Sequence, residues 1–177
     1  MPATRPDAKG AVISGWGTAL PAKVITNDEL AATMDTSDEW IRTRTGISER
    51  RIGSTTIDLS VESGRQALGM AGLDPGRIDA LVLATTTPDK QWGNAPAIQH
   101  ELGLRCGAVD INAACSGFMY ALVQAHGMIA MGADRVLVIG TDTLSRITDW
   151  DDRVTAPLFG DGSGAVVIES VDGRGQL

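Results

Sequence analysis

Cys115 stands where two runs of different periodicity meet. Val109-Asp110-Ile111-Asn112-Ala113-Ala114 reads as a buried strand closing in small residues, and Ser116-Gly117-Phe118-Met119-Tyr120-Ala121-Leu122 opens a long helix. A thiol at a strand-to-helix turn has its sulfur near unpaired amide N–H groups and the positive end of a helix dipole. Both favour thiolate, the nucleophilic form. Ala113, Ala114 and Gly117 leave room for a substrate to approach. Position alone leaves a second reading open: a buried structural cysteine, a frequent fate of this residue.

The elements that must hold this thiol alternate. Residues 11–19 read as a strand, and Asn27 as the N-cap of a short helix. Ser37 or Asp38 starts another short turn that Thr45-Gly46 ends, and Thr55 or Thr56 caps a helix that runs to about Ala71 and stops at Gly72. Residues 80–86, ALVLATT, form an apolar run that fits a strand buried on both faces of a parallel sheet. Helix over 94–102, strand over 107–112, helix over 115–131, and strands over 135–140 and 163–171 complete the series. The order βαβαβαββ predicts an α/β fold: a five-stranded, mostly parallel sheet with helices on both faces. The final ββ step lacks a crossover helix, so the last strand is expected antiparallel at an edge. The helix after Cys115 is apolar around nearly its whole circumference. Such a helix is buried on all sides, so a second domain or another chain is expected on the side the sheet does not cover.

Composition bounds the function classes. A chain of 177 residues, 43% hydrophobic, supports one domain with a sizeable core. The net charge of −7 disfavours non-specific binding to nucleic acid or to anionic membranes. Cys106 and Cys115 have neither metal-type spacing nor the density of a disulfide scaffold. The polar opening Met1–Gly10 does not read as a signal peptide, and no apolar run reaches the roughly 18 residues a membrane span needs. The expected compartment is a reducing cytoplasm.

Four separated segments carry a family resemblance. Asp110-Ile111-Asn112-Ala113-Ala114-Cys115-Ser116-Gly117-Phe118 resembles the nucleophile segment of the beta-ketoacyl-acyl-carrier-protein synthase III family, within the thiolase superfold. Asp35-Thr36-Ser37-Asp38-Glu39-Trp40-Ile41-Arg42-Thr43-Arg44-Thr45-Gly46-Ile47 resembles its N-terminal signature. Ala84-Thr85-Thr86-Thr87 and Leu158-Phe159-Gly160-Asp161-Gly162-Ser163-Gly164-Ala165 resemble two further motifs. The similarity runs from about residue 11 to 171. It implies that residues 1–177 are the N-terminal thiolase-like domain of an acyltransferase of fatty acid biosynthesis. In that reaction an acyl-CoA, here acetyl-CoA, acylates the cysteine, and malonyl-acyl-carrier protein then condenses with loss of carbon dioxide.

The resemblance also implies roles. Cys115 is the nucleophile, with its N–H as half of an oxyanion hole. Thr36, Trp40, Arg44 and Arg153 contact coenzyme A. Trp92, Leu144 and Phe159 belong to the acyl pocket, with Trp92 reaching across a homodimer interface and favouring short primers. No metal and no cofactor are implied, since acyl-CoA enters as a substrate. Read without the family, Trp40 is rather a helix-packing anchor and Arg44 a solvated cation, while Trp92 is equally an interface residue. Arg42, Arg44, Arg50 and Arg51 form either a basic patch for an acidic carrier protein or a solvated loop.

The family's triad adds a histidine and an asparagine from a second half. His126 follows Cys115 by eleven positions along one helix, about 16 Å at 1.5 Å per residue, too far for direct proton transfer. His100 reads as a surface residue, and no asparagine follows Asn112. The expectation is an N-terminal half that does not condense by itself. A related acyltransferase, a polyketide-priming enzyme and a non-catalytic docking module are the alternatives.

Overall fold

The computed structural model describes residues 9–173; residues 1–8 of the polar opening, and Leu177, lie outside them. The chain begins with β1 (Gly10–Ala19), β2 (Lys23–Thr26), α1 (Asn27–Ala31), α2 (Asp38–Thr45) and β3 (Glu49–Ile52). It continues through α3 (Thr56–Ala71), β4 (Ala80–Ala84), α4 (Ala95–Leu102) and β5 (Gly107–Ile111). A 3-10 turn at Ala114–Ser116 leads into α5 (Gly117–Ala130), followed by β6 (Arg135–Thr143) and β7 (Asp161–Val171).

Five strands form one sheet in the order β1-β7-β6-β4-β5. The β4–β5 and β4–β6 pairs are parallel, and β6–β7 and β1–β7 are antiparallel. Four strands therefore point one way and β7 the other, which is the mostly parallel α/β sheet expected. Helices cover both faces. On one, Ala67 and Leu68 of α3 and Ile98 and Leu102 of α4 pack on Leu81, Leu83, Leu137 and Ile139. On the other, Ala121, Ala125 and Ile129 of α5 pack on Val82, Val136, Val138 and Ile168. Burying each of the valines, leucines and isoleucines among them contributes about 1.5–3 kcal/mol.

Two strand positions differ from the sequence reading. β7 is antiparallel as expected but lies inside the sheet, between β1 and β6. Its Ala165, Val167 and Ile168 are almost wholly buried, and an apolar strand with both faces covered has its ladder groups satisfied best with a neighbour on each side. The 107–112 strand, expected to be buried, is the outer strand β5. Its residues are half-buried or exposed, with Val109 at 41%. The small antiparallel β2–β3 sheet, whose strands are separated by α1 and α2, was not anticipated, because each strand is only four residues long and β3 is mostly charged.

Local chemistry explains the element ends. Ser37 Oγ accepts from the Trp40 N–H at 3.1 Å, and Gly46 closes α2 in the left-handed conformation. Thr55 caps α3 and Gly72 ends it, as predicted. At α1 the cap is Thr26, in a reciprocal capping box with Glu29, rather than Asn27. Asn27 is instead buried. Gly15 and Gly17 let α3 rest directly on β1: a Cβ at Gly17 would fall 2.2 Å from the Ser63 carbonyl oxygen.

α5 is buried only along Gly117, Ala121, Ala125 and Ile129. Met119, Tyr120 and Val123 on its other side are more than half exposed. The expected enclosure is therefore one-sided among the described residues, because a single sheet reaches only one side of a helix. None of the described helices is long and apolar enough to cross a membrane.

Candidate active site

The carboxyl ends of β4, β5 and β6 and the start of β7 meet at one end of the sheet, where open α/β folds bind ligands. Ala84 and Thr85, Gly140 to Asp142, and Gly160, Gly162 and Gly164 line a cleft of about 390 Å³ there, together with Ala114, Cys115, Gly117 and Phe118. Cys115 is exposed and unpaired. It lies in the 3-10 turn just before α5, so the strand-to-helix placement holds, with one extra turn between the two elements. The residue before it, Ala114, has φ +47°. A left-handed non-glycine residue costs of order 1–3 kcal/mol and is held only by its surroundings. Here the Asn112 side chain accepts from the Ala114 N–H at 3.2 Å, and the Ser116 N–H donates to the Ala113 carbonyl at 3.1 Å.

The start of α5 has no side-chain cap. The preceding 3-10 turn already takes up the Ser116 and Gly117 N–H groups, which donate to the Ala113 and Ala114 carbonyls, so the amide beside the sulfur with no such partner is that of Cys115 itself. Small residues seat the helix close to the strands: a Cβ on Gly117 would lie 3.3 Å from the Ala84 Cβ, and one on Gly140 would lie 2.9 Å from the Phe118 ring. Asp142 fixes the opposite wall. Its Oδ1 accepts from Thr85 Oγ1, from the N–H and Oγ1 of Thr86, and from Thr87 Oγ1, at 2.7–3.3 Å. Sequence reasoning missed this carboxylate. Its signal was modest, an acidic residue at the end of a buried apolar run.

A second cluster gathers three residues named from the sequence. Trp40 lies on α2, with the Arg44 guanidinium carbon 4.5 Å from its ring centroid. Arg153, from the segment between β6 and β7, stands 4.8 Å from the same centroid. Each cation–π contact contributes about 0.5–1 kcal/mol at an exposed site. Thr36 precedes the helix, and its Oγ1 is buried without a hydrogen-bond partner among the described residues. Trp40, Arg44 and Arg153 together present a stacking surface and two guanidinium groups, the chemistry that suits a purine nucleotide with phosphates.

The three acyl-pocket candidates are not gathered in this way. Leu144 and Phe159 are half-buried and Trp92 is 84% exposed, and none of them lines the cleft at Cys115. Phe159 comes nearest in sequence, beside Gly160. The arginine run is not a free basic patch either. Arg42 lies 3.6 Å from Asp38 and Arg51 lies 3.2 Å from Glu49, while Arg50 is 5% exposed. No histidine lines the cleft; His126 is half-buried late in α5 and His100 is exposed on α4. Cys106 is half-buried, and burial, with the nearby Asp79 charge, pushes its thiol pKa up.

Comparison with known proteins agrees with the motifs. Residues 109–177 match the family described as 3-Oxoacyl-[acyl-carrier-protein (ACP)] synthase III. A beta-ketoacyl-[acyl-carrier-protein] synthase III of Synechococcus sp. (strain WH7803) is 51% identical over 182 residues, covering 100% of this chain and 54% of that protein. The crystal structure of 3-oxoacyl-[acyl-carrier-protein] synthase III from Aquifex aeolicus VF5 superimposes with a TM-score of 0.87 at 46% identity, over 90% of this chain and 54% of that one. The priming beta-ketosynthase of the R1128 polyketide biosynthetic pathway gives a TM-score of 0.90 at 36% identity, over 98% and 54%. The chain spans about half the length of the curated relatives it matches. Over its whole length the chain is similar to about half of a beta-ketoacyl-[acyl-carrier-protein] synthase III, the family that its thiol turn, its Trp40 segment and its glycine-rich start of β7 resemble.

Proposed function

We propose that residues 1–177 are the N-terminal thiolase-like half of a 3-oxoacyl-[acyl-carrier-protein] synthase III that starts type II fatty acid biosynthesis from acetyl-CoA. The observation that carries this reading is Cys115, exposed on a strained turn at the uncapped start of α5 and facing an open cleft.

In the first step the Cys115 sulfur attacks the thioester carbonyl of acyl-CoA. A carbon–sulfur bond forms to the enzyme, and the one to coenzyme A breaks. CoA leaves as its thiolate and takes up a proton. The oxyanion formed on the way is met by the Cys115 N–H as half of an oxyanion hole; one fixed donor of this kind is worth about 3 kcal/mol in the transition state. Trp40, Arg44, Arg153 and Thr36 hold the nucleotide end, so binding energy remote from the reacting carbon orients the thioester. In the second step malonyl-acyl-carrier protein loses carbon dioxide. The electron pair of the broken carbon–carbon bond attacks the acyl carbon, and the Cys115 thiolate departs. The histidine and asparagine that assist this step belong to a second half of the protein.

The unpaired outer edge of β5, with Val109 exposed on it and Trp92 exposed in the same chain segment as α4, supports a homodimer through that edge. Trp92 would then act on the partner's acyl pocket rather than on its own, with Leu144 and Phe159 completing the pocket, and would favour short primers. The two unpaired cysteines suit a reducing cytoplasm. The likeness to a priming ketosynthase favours a second reading, polyketide priming, which differs in the carrier protein that receives the product.

The test is made on the full-length protein with acetyl-CoA and malonyl-acyl-carrier protein. Release of carbon dioxide with formation of 3-oxobutanoyl-carrier protein, abolished by Cys115→Ser, is expected. Acyl loading without carbon dioxide release would replace this reading with a simple acyltransferase.

A further inference from the structure

Arg50 is the most deeply buried cation among the described residues, and it faces no carboxylate within salt-bridge distance. Its partners are three neutral oxygens from two separate segments, the β2–α1 junction and the turn at Pro157. Nη1 donates to the Ile25 carbonyl at 3.1 Å, and Nη2 donates to Asn27 Oδ1 at 2.6 Å and to the Pro157 carbonyl at 3.3 Å. Nε has no partner. Burial alone pushes the guanidinium pKa down. A charge left in this condition costs stability unless its geometry is needed elsewhere.

The three contacts converge on the two halves of the Trp40 cluster. Asn27, itself 1% exposed, passes the contact on: its Nδ2 donates to Asp38 Oδ1 at 2.8 Å and to the Ile47 carbonyl at 2.8 Å. Asp38 is the first residue of α2, which carries Trp40 and Arg44, and Ile47 follows its C-terminal glycine. Pro157 belongs to the short 3-10 turn Ala156–Leu158. That turn is tied back towards Arg153, because the Ala156 N–H and the Thr155 hydroxyl both bond Asp152, at 3.0 and 2.5 Å. One planar fork therefore spans the segment that places the indole and the segment that places the second guanidinium. A Cβ on Gly160 would lie 3.2 Å from the Arg50 Cβ, so the same strand also abuts the glycine-lined wall of the cleft.

We propose that Arg50 is a positioning residue: without touching the ligand, it sets the spacing between α2 and the Arg153 segment and so tunes affinity for the nucleotide part of acyl-CoA. The proposal rests on the functional reading above. Lysine keeps the charge but lacks the rigid fork that serves three acceptors at once.

The experiment uses the full-length protein, unsubstituted and as Arg50→Lys and Asp38→Ala. Asp38 is solvent-accessible and ends the relay, so its removal leaves the buried charge in place. Three quantities are read: Kd for coenzyme A by calorimetry, the rate of Cys115 acylation by acetyl-CoA, and that rate with acetyl-N-acetylcysteamine, which has no nucleotide. Loss of coupling in such a network corresponds to a Kd raised about tenfold in Arg50→Lys and about threefold in Asp38→Ala. Acylation by the small thioester is expected to stay within about twofold of the unsubstituted rate. Kd values unchanged in Asp38→Ala, or equal losses with both thioesters, would overturn the positioning role. An unsubstituted protein that binds no coenzyme A would instead refute the functional reading, and the two failures are thereby told apart.

Discussion

The guanidinium of Arg153 lies over the indole of Trp40, 4.8 Å from its centroid, although the two residues come from opposite ends of the described chain. Arg44 holds a second guanidinium 4.5 Å from the same ring. An aromatic ring near two cations is a stacking surface already arranged before any nucleotide arrives, which lowers the ordering cost of binding. Removing either arginine should weaken coenzyme A binding by about 0.5–2 kcal/mol, a roughly two- to thirtyfold rise in Kd. Trp40→Ala should cost at least as much as either one. Calorimetry on the three variants checks this, and a Trp40→Ala protein with unaltered affinity would remove the cluster from the ligand site.

The two thiols should respond differently to alkylation. Cys115 is exposed, whereas Cys106 is half-buried with its pKa raised first by burial and then by Asp79. A raised thiol pKa means less thiolate at any given pH, so Cys106 modification should lag at neutral pH and gain ground only in the alkaline range above that of an ordinary thiol. Peptide mapping after timed iodoacetamide treatment reads both sites. Faster labelling of Cys106 at neutral pH would contradict the burial argument.

The turn that presents Arg153 carries its own pH signature. Hydrogen bonds, first from the Thr155 hydroxyl and then from the Val154 N–H, hold the Asp152 carboxyl below the usual carboxylate range. A folded-state value below the unfolded one stabilises the fold above the unfolded pKa, and that stability is lost as pH falls through the folded pKa. Side-chain carboxyl NMR should therefore give Asp152 a midpoint lower than an unperturbed aspartate, and Thr155→Val should move it upward. A midpoint insensitive to that substitution would remove the turn's claimed hydrogen bond.

Packing between β1 and α3 should be intolerant of a single methyl. The Cβ of Gly17→Ala would sit 2.2 Å from the Ser63 carbonyl oxygen, a backbone atom that cannot rotate away. Overpacking of this kind costs about 2 kcal/mol, a fall in Tm of roughly 5 °C. Gly69→Ala, with nothing within 4 Å of the added Cβ, is the control; equal melting temperatures for the two would contradict the close approach.

Much of this was legible in the sequence, for local reasons. Thr55, Gly72, Ser37 and Gly46 announce their helix ends through capping chemistry that needs no tertiary context. The thiol turn was legible because small residues and a change of periodicity meet at Cys115. What stayed hidden depends on partners distant in sequence. The interior place of β7 is decided by its pairing with β1, whose glycines gave a weak strand signal. Arg50 reads as one surface cation among four until Ile25, Asn27 and Pro157 surround it. Asp142 reads as a solvated strand end until three consecutive threonines from β4's far end turn towards it. Trp40 and Arg153 were named through the family resemblance; no local pattern links them.

The central claim is that the sulfur at the start of α5 accepts an acyl group. Incubation of the full-length protein with acetyl-CoA, followed by peptide mass spectrometry, tests it most directly. The account predicts an acetyl thioester on Cys115, none on Cys106, and loss of the adduct in Cys115→Ser. An unmodified Cys115 in a protein that binds coenzyme A would contradict it.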